Sequence, residues 1–306
     1  MGHDDRLSIL TEPLLLLSLA TLCCAAGNDL RRAEESYHRA DYGSVLEILL
    51  PLSPKSAAGD ALIGKTYYME GQYKNSAVYL EKAVAEDSLN SSYYDWLGKA
   101  YGRRAEQSCF LTVLADARRT RESFEKAAVL DAANEEALGD LFEYYLEAPG
   151  IVGGGIDKAQ NVAERIGRLS PVEGHYVLAR IAEKRRDVQM AEREYRAAMQ
   201  LAPSDIGRVI DLAAFLAKQG RYQESEKLFD LAGRIAPDSP KLLFARAESY
   251  IQPGRNLIQA NVLIQRYIKS PHTPGDPPRS EVERLLKASQ GPEASPPRAS
   301  WRATHS

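Results

Sequence analysis

The sequence predicts an all-α protein: a right-handed α-solenoid of about six helical hairpins, closed by a C-terminal capping helix. Two observations carry this prediction. One spacing of small and large apolar residues returns again and again along the chain, and a second helical pattern stands upstream of each return. A stack of near-identical helix pairs is the simplest structure that satisfies both.

The first spacing is clearest in Ser225-x3-Phe229-x2-Ala232-x4-Pro237. It returns as Ala191-x3-Tyr195-x2-Ala198-x4-Pro203 and as Ala159-x3-Ala163-x2-Ile166-x4-Pro171. Looser copies are Thr120-x3-Phe124-x2-Ala127 and Ser76-x3-Leu80-x2-Ala83. Residues spaced by four and then three share one helical face, and a following proline cannot continue the helix. The upstream pattern is Ile63-Gly64-x2-Tyr67, Leu97-Gly98-x2-Tyr101, Leu212-Ala213-x2-Leu216 and Arg246-Ala247-x2-Tyr250. Its small residue admits a neighbouring helix closely, and the large one fills the gap above. Gly71 and Gly220 stand where the first helix must end in a left-handed residue.

These residues resemble the tetratricopeptide repeat family, whose unit is a 34-residue helix-turn-helix. Pro203 to Pro237 spans that period, Ile206 to Ser239 is the best copy, and the resemblance covers roughly residues 29–270. The family qualifier that goes with the leader described below is a bacterial exported repeat protein. Three units depart from the pattern. The unit 91–134 is about ten residues long in "RRAEQSCFLTVLADARR", where Cys109, Phe110, Val113, Leu114 and Ala117 recur at helical spacing and predict an extended helix pair. The unit from Glu135 is about five residues long, in the glycine-rich turn 148–157. The first unit, Asp29 to Leu52, keeps only the Tyr and the apolar face.

The glycine-rich turn, "LEAPGIVGGGIDKAQ", invites comparison with phosphate-binding loops. It follows no strand and matches neither G-x-x-x-x-G-K-[ST] nor G-x-G-x-x-G. It reads as a bend in which Pro149 ends one helix and Asp157 caps the next. The weaker reading is an anion or ligand site built from Gly153, Gly154, Gly155 and Lys158.

Nothing else converges on chemistry. The histidines are dispersed, no H-E-x-x-H or G-x-S-x-G occurs, and Cys109 has no histidine near it in sequence. Adjacent acids such as Glu34-Glu35 and Glu135-Glu136 do not face each other on a helix. The expectation is no enzyme, no catalytic residue, no cofactor and no metal. A net charge of −3 gives no reason to expect nucleic acid.

In the family, the first helix of each unit lines a concave groove. Carried over unit by unit, that face holds Lys65, Tyr68 and Met69; Lys99 and Arg103; Glu143 and Glu147; Tyr176 and Arg180; and Phe244 and Glu248. The resemblance thus implies a scaffold that takes a protein or peptide in its groove, with basic groups at one end to hold an acidic segment. The alternatives are a cell-envelope assembly factor or an accessory subunit of an enzyme complex, then a ligand-binding protein or a hydrolase using Glu143 with Arg180.

The ends carry their own signals. Pro13 to Ala26 is an apolar run ending in Cys24-Ala25-Ala26, which reads as a signal peptide cleaved after Ala26, although its leader "MGHDDRLSILTE" is acidic. Export to the periplasm or cell envelope is expected, with a cytoplasmic location as the alternative. A membrane is expected as partner only through another protein or an uncleaved leader. At the other end "RSEVERLL" predicts a short helix capped by Ser280, with Val282, Leu285 and Leu286 covering the last repeat. The solenoid is bounded at 27–287, and residues 288–306, including Trp301, are expected to be disordered.

Overall fold

The structure, a computed structural model, describes residues 27–53, 55–107 and 110–289. The apolar leader, Cys109 and the tail from Gln290 lie outside the described residues. Helices α1 (27–38) and α2 (Tyr42–Leu49) form the first pair. They are followed by α3 (Ala57–Met69) with α4 (Tyr73–Glu86), α5 (Ser91–Gln107) with α6 (Phe110–Leu130), and α7 (Glu135–Glu147) with α8 (Ile156–Leu169). Next come α9 (Pro171–Lys184) with α10 (Val188–Leu201), α11 (Ile206–Lys218) with α12 (Tyr222–Ile235), and α13 (Pro240–Ile251) with α14 (Leu257–Lys269). A last helix, α15 (Arg279–Ser289), stands alone. No strand occurs among the described residues.

The described residues thus form seven pairs, one more than the roughly six that the spacing suggests. The uncounted second helix is α14, in which Ala260, Ile264 and Tyr267 keep the small-x3-large-x2 frame and are all buried. Its third position is Tyr instead of Ala, and its proline, Pro271, comes one residue early, which hides the match. The long unit is built from α5 and α6, of 17 and 21 residues. Arg104 clamps α5 to α6 there, its Nε 2.9 Å and its Nη2 2.5 Å from the two carboxylate oxygens of Asp116.

Caps set the helix starts. Ser56, Asn134, Ser170, Asp187 and Ser239 each accept from a first-turn amide. Pro171 and Pro240 occupy first helical positions, where a missing N–H costs nothing, so Pro171 opens α9 as well as following α8. Helix α15 begins at Arg279, which puts Ser280 inside the first turn and not at the cap.

Each pair buries its apolar face against the next. Gly174 of α9 shows how tightly: a Cβ there would lie 2.7 Å from the Gly167 Cα on α8 of the preceding pair. The first helices α3, α5, α7 and α9 touch in succession, as do α11 and α13, whereas second helices make no comparable contact with one another among the described residues. In a curved stack the crowded layer is the inner one, so the first helices line the concave side.

In five of the described intra-pair turns a left-handed residue stands at the same place after the first helix. It is glycine at Gly71, Gly220 and Gly254, but Ala40 and Arg186 at the equivalent places. A side chain in this conformation costs roughly 1 kcal/mol. Arg186 is exposed and donates only its backbone amide, to Glu183 O. Arg186→Gly is therefore expected to raise stability by about 0.5–1 kcal/mol, and Gly220→Ala to lower it by a similar amount; urea denaturation followed by circular dichroism checks both.

Candidate functional site

The residues placed on the concave face by resemblance separate into three clusters. In the first, the Lys99 ammonium is enclosed by carboxylates of its own helix and of α7. Asp95 Oδ2 is 2.9 Å away, Asp140 Oδ2 is 3.1 Å away, and Glu136 is in direct contact. Lys99 is 4% exposed and Asp95 1%. Burial opposes the charge on Lys99, but Asp140, Asp95 and Glu136 together hold its pKa well above the usual lysine value. Burial pushes the Asp95 and Asp140 carboxyls up, against the pull of Lys99. Oxygens of Asp95, Glu136 and Asp140 lie within 4.8 Å of one another, a spacing that suits a cation, and the Lys99 ammonium meets that need.

Lys65 and Trp96 flank this cluster. Both Lys65 and Lys99 sit over the indole, at 5.1 and 4.7 Å from its centroid. Lys65 is half-buried, and burial lowers its pKa. It has no ion pair among the described residues. Tyr68 and Met69 do not face an open groove; they are buried in the core with Tyr73, and Tyr68 meets Trp96 edge-on at 5.4 Å. Arg103 lies over the Tyr73 ring at 5.3 Å and pairs with Glu106 at 2.7 Å.

In the second cluster Arg180 is the hub. Its Nη1 donates to Glu143 at 2.6 Å and to the Tyr176 hydroxyl at 3.2 Å, and its Nη2 reaches Glu147 at 3.3 Å. Lys184 holds the other Glu147 oxygen at 2.8 Å. The pair of residues that a hydrolase would need, Glu143 with Arg180, is thus tied up as a structural contact between α7 and α9. Arg208 stacks on Tyr176 from the far side at 4.4 Å and lies 3.3 Å from Asp211. In the third cluster Phe244 and Glu248 are covered by α15, with Glu248 5% exposed. Beside them a cavity of about 250 Å³ opens between α11 and α13, lined by Ala214, Ala217, Tyr222, Ala245, Glu248 and Ser249.

The partners of these charges carry a signal in the sequence. Lys99 meets Glu136, Arg180 meets Glu143 and Lys184 meets Glu147, and each pair is 37 residues apart. That is one repeat plus about one helical turn, the offset that brings the same face of successive first helices together. Asp95 lies four residues before Lys99 and Asp140 four after Glu136. Opposite charges at this offset would have marked the contacts.

The glycine-rich turn is closed on itself. Pro149 follows α7, and Gly150–Val152 makes a 3-10 turn. Gly153 is left-handed at φ 95°, and a Cβ at Gly154 would lie 1.8 Å from Ala148 O. The Gly155 amide donates to Tyr145 O at 2.7 Å, and Lys158 Nζ donates to Gly153 O at 2.9 Å. The groups named for an anion are therefore engaged in holding the bend. The residue that caps α8 is Gly155, not Asp157, which sits inside the first turn and interacts only with the helix dipole. The close approach to Ala148 is one residue earlier, at Gly154; a Cβ at Gly155 itself would meet open space.

No protein-family model matches the chain, and no curated protein matches it. Solved structures do. A tetratricopeptide repeat protein from Parabacteroides merdae superposes with a TM-score of 0.57 at 13% identity, over 87% of this chain and 99% of that one. A thermophilic repeat protein of the same kind from Thermus thermophilus gives 0.52 at 18% identity, over 62% of this chain and 98% of that one. The chain has the tetratricopeptide repeat fold.

Two outcomes follow from the charges and phenols. Lys99→Met strands three carboxylates in the inner layer and is expected to cost at least about 3 kcal/mol. Asp140→Asn leaves Lys99 two acids and should cost far less; chemical denaturation of both variants tests the difference. Burial raises Tyr42, Tyr101 and Tyr144 to about 12, and in Tyr101 the hydrogen bond to Glu81 adds to it. The folded chain keeps these protons while the unfolded chain releases them near pH 10, so stability falls as pH rises from about 10 to 12. Tyrosinate absorbance should then appear together with loss of helicity, not before it.

Proposed function

We propose that the chain is a non-catalytic scaffold that holds a segment of a partner protein along its concave face. The observation that carries this reading is the state of that face. Its charges are already fixed in ion pairs between successive first helices, so the wall is preorganised and costs little to order on binding. What is left for a partner is an unpaired ammonium over an indole at Lys65 and Trp96, and a cavity between α11 and α13 large enough for one side chain. A carboxylate or an acidic end of the partner suits the first, and an anchor residue suits the second.

The state of the face also decides the test. Lys99 is structural, and Arg103 already pairs with Glu106 and Glu281, so reversing either charge would break existing contacts as well as any made to a partner. Lys65→Gln removes the ammonium offered to a partner and Ala214→Arg fills the cavity mouth, and neither breaks an ion pair among the described residues. Each is expected to reduce recovery of the partner in an affinity purification by tenfold or more while leaving the melting temperature within a few degrees. Unchanged recovery with both would move the binding surface off the concave face and overturn the proposal.

On the run Pro13 to Ala26 we also read the chain as exported, to the periplasm or cell envelope. Mass spectrometry of the chain purified from its natural source should find the mature N-terminus at Gly27; an intact leader on the soluble chain contradicts export by this route.

A further inference from the structure

Helix α15 has one face that a capping helix requires and one contact that it does not. Val282 and Leu285, three residues apart, are buried against Leu243, Ala247, Tyr250 and Ile264 of α13 and α14. That alone seals the end of the stack. Glu281, next to Val282, points elsewhere: its carboxylate contacts Nη2 of Arg103, on α5 of the third pair. The same carboxylate holds Arg284 at 2.7 Å, and Arg284 lies 3.9 Å from Glu248 on α13. An alternating chain, Glu106–Arg103–Glu281–Arg284–Glu248, therefore crosses the groove from the third pair to the seventh. Helix α15 lies inside the concavity.

The receptor for this carboxylate does not depend on α15. The Arg103 guanidinium is oriented by Glu106 at 2.7 Å, by the Tyr73 hydroxyl at 3.3 Å from Nε, and by the Tyr73 ring beneath it. These leave Nη2 as the arm offered to an incoming acid. The two attachments of α15 also differ in kind, apolar on α13 and α14 but a single ion pair on α5. Burial works against charge on Glu281, yet Arg103 and Arg284 hold its pKa below the usual glutamate value, so the contact is ionic at neutral pH.

We propose that α15 is an internal ligand of the groove. The site it covers accepts, in its place, an acidic amphipathic helix of the partner, with one carboxylate on Arg103 and two apolar residues three apart on α13 and α14. The proposal rests on the groove reading above and names the chemistry of the occupant. Residues 270–278 tether α15, with Tyr267 donating to Pro277 O at 2.8 Å and Asp276 accepting from Thr273. A tether this short gives an effective concentration on the order of millimolar, which a partner must exceed in affinity to displace it. Weak or incomplete partners are thereby excluded.

The test uses the full chain and a fluorescent peptide with the sequence of residues 279–289. Val282→Asp with Leu285→Asp removes the apolar attachment and releases α15. The released chain should bind the peptide at least tenfold more tightly than the wild type does. A control peptide carrying Glu281→Lys should bind it at least tenfold more weakly, and the difference should shrink in high salt. Equal binding of the two peptides, or none by a released chain of native helicity, overturns the proposal. Should the double variant lose helicity, hydrogen exchange on the wild type replaces it. Excess peptide should speed exchange in 279–289, and unchanged exchange counts against the proposal. A released chain that ignores the peptide but still retains its partner through Lys65 and Ala214 refutes the internal ligand and leaves the scaffold function standing.

Discussion

A helix pair of this kind cannot cover its own apolar face, and everything else in the molecule follows from that. The face formed by residues such as Ala77 and Leu80 is sheltered only when the next first helix, with Leu97 and Ala100, lies across it. Stacking is therefore obligatory, and the stack curves because first helices approach one another more closely than second helices do. Within a pair the fit is as tight: Gly98 of α5 meets Phe124 of α6 with no room for a methyl group. The end of the array has the same need, and α15 meets it with Val282 and Leu285.

Curvature has an electrostatic consequence. The inner layer is squeezed, so polar side chains there lose water and must find partners within the protein. Lys99 finds three carboxylates, and Arg180 finds Glu143, Glu147 and Tyr176. These contacts add little net stability against well-packed apolar residues, but breaking one strands a buried charge. They fix the relative position of neighbouring first helices. The wall of the groove thus behaves as a rigid surface whose charge is mostly spent, and recognition falls to the residues left over: Lys65 with Trp96, the Arg103 arm, and the cavity beside Glu248.

Much of this was legible in the sequence, and the exceptions have physical reasons. The frame Ala191, Tyr195, Ala198 announces a helix face because core packing repeats with the helix period. The left-handed turn was legible at Gly71 and Gly220, where glycine marks it, and illegible at Arg186, where a strained arginine does the same task. The residues named for the groove lie on first helices, but their environment was not legible, because one repeat's charge is neutralised by the next repeat's acid. A reading unit by unit treats Lys99 and Glu136 as separate features, although one ion pair joins them. The ion pair between Arg103 and Glu281 was beyond reach. Its two residues are brought together only by the cumulative curvature of four further pairs, and no local pattern records that sum.

The same curvature explains why the two attachments of α15 are unequal. Near its tether the helix always meets α13 and α14, so apolar burial can be built there reliably. Its reach to α5 depends on the angle summed over every intervening pair, and small changes in that angle move Arg103 by more than any apolar contact tolerates. A charge pair tolerates such movement better, since its energy falls gradually with distance. An ionic contact is therefore the kind that suits the far side of a long spiral, where small differences at each pair add up. It is also the kind that an incoming carboxylate can exchange without first prising apart a packed core, which places the entrance for a partner at the α5 side of the groove.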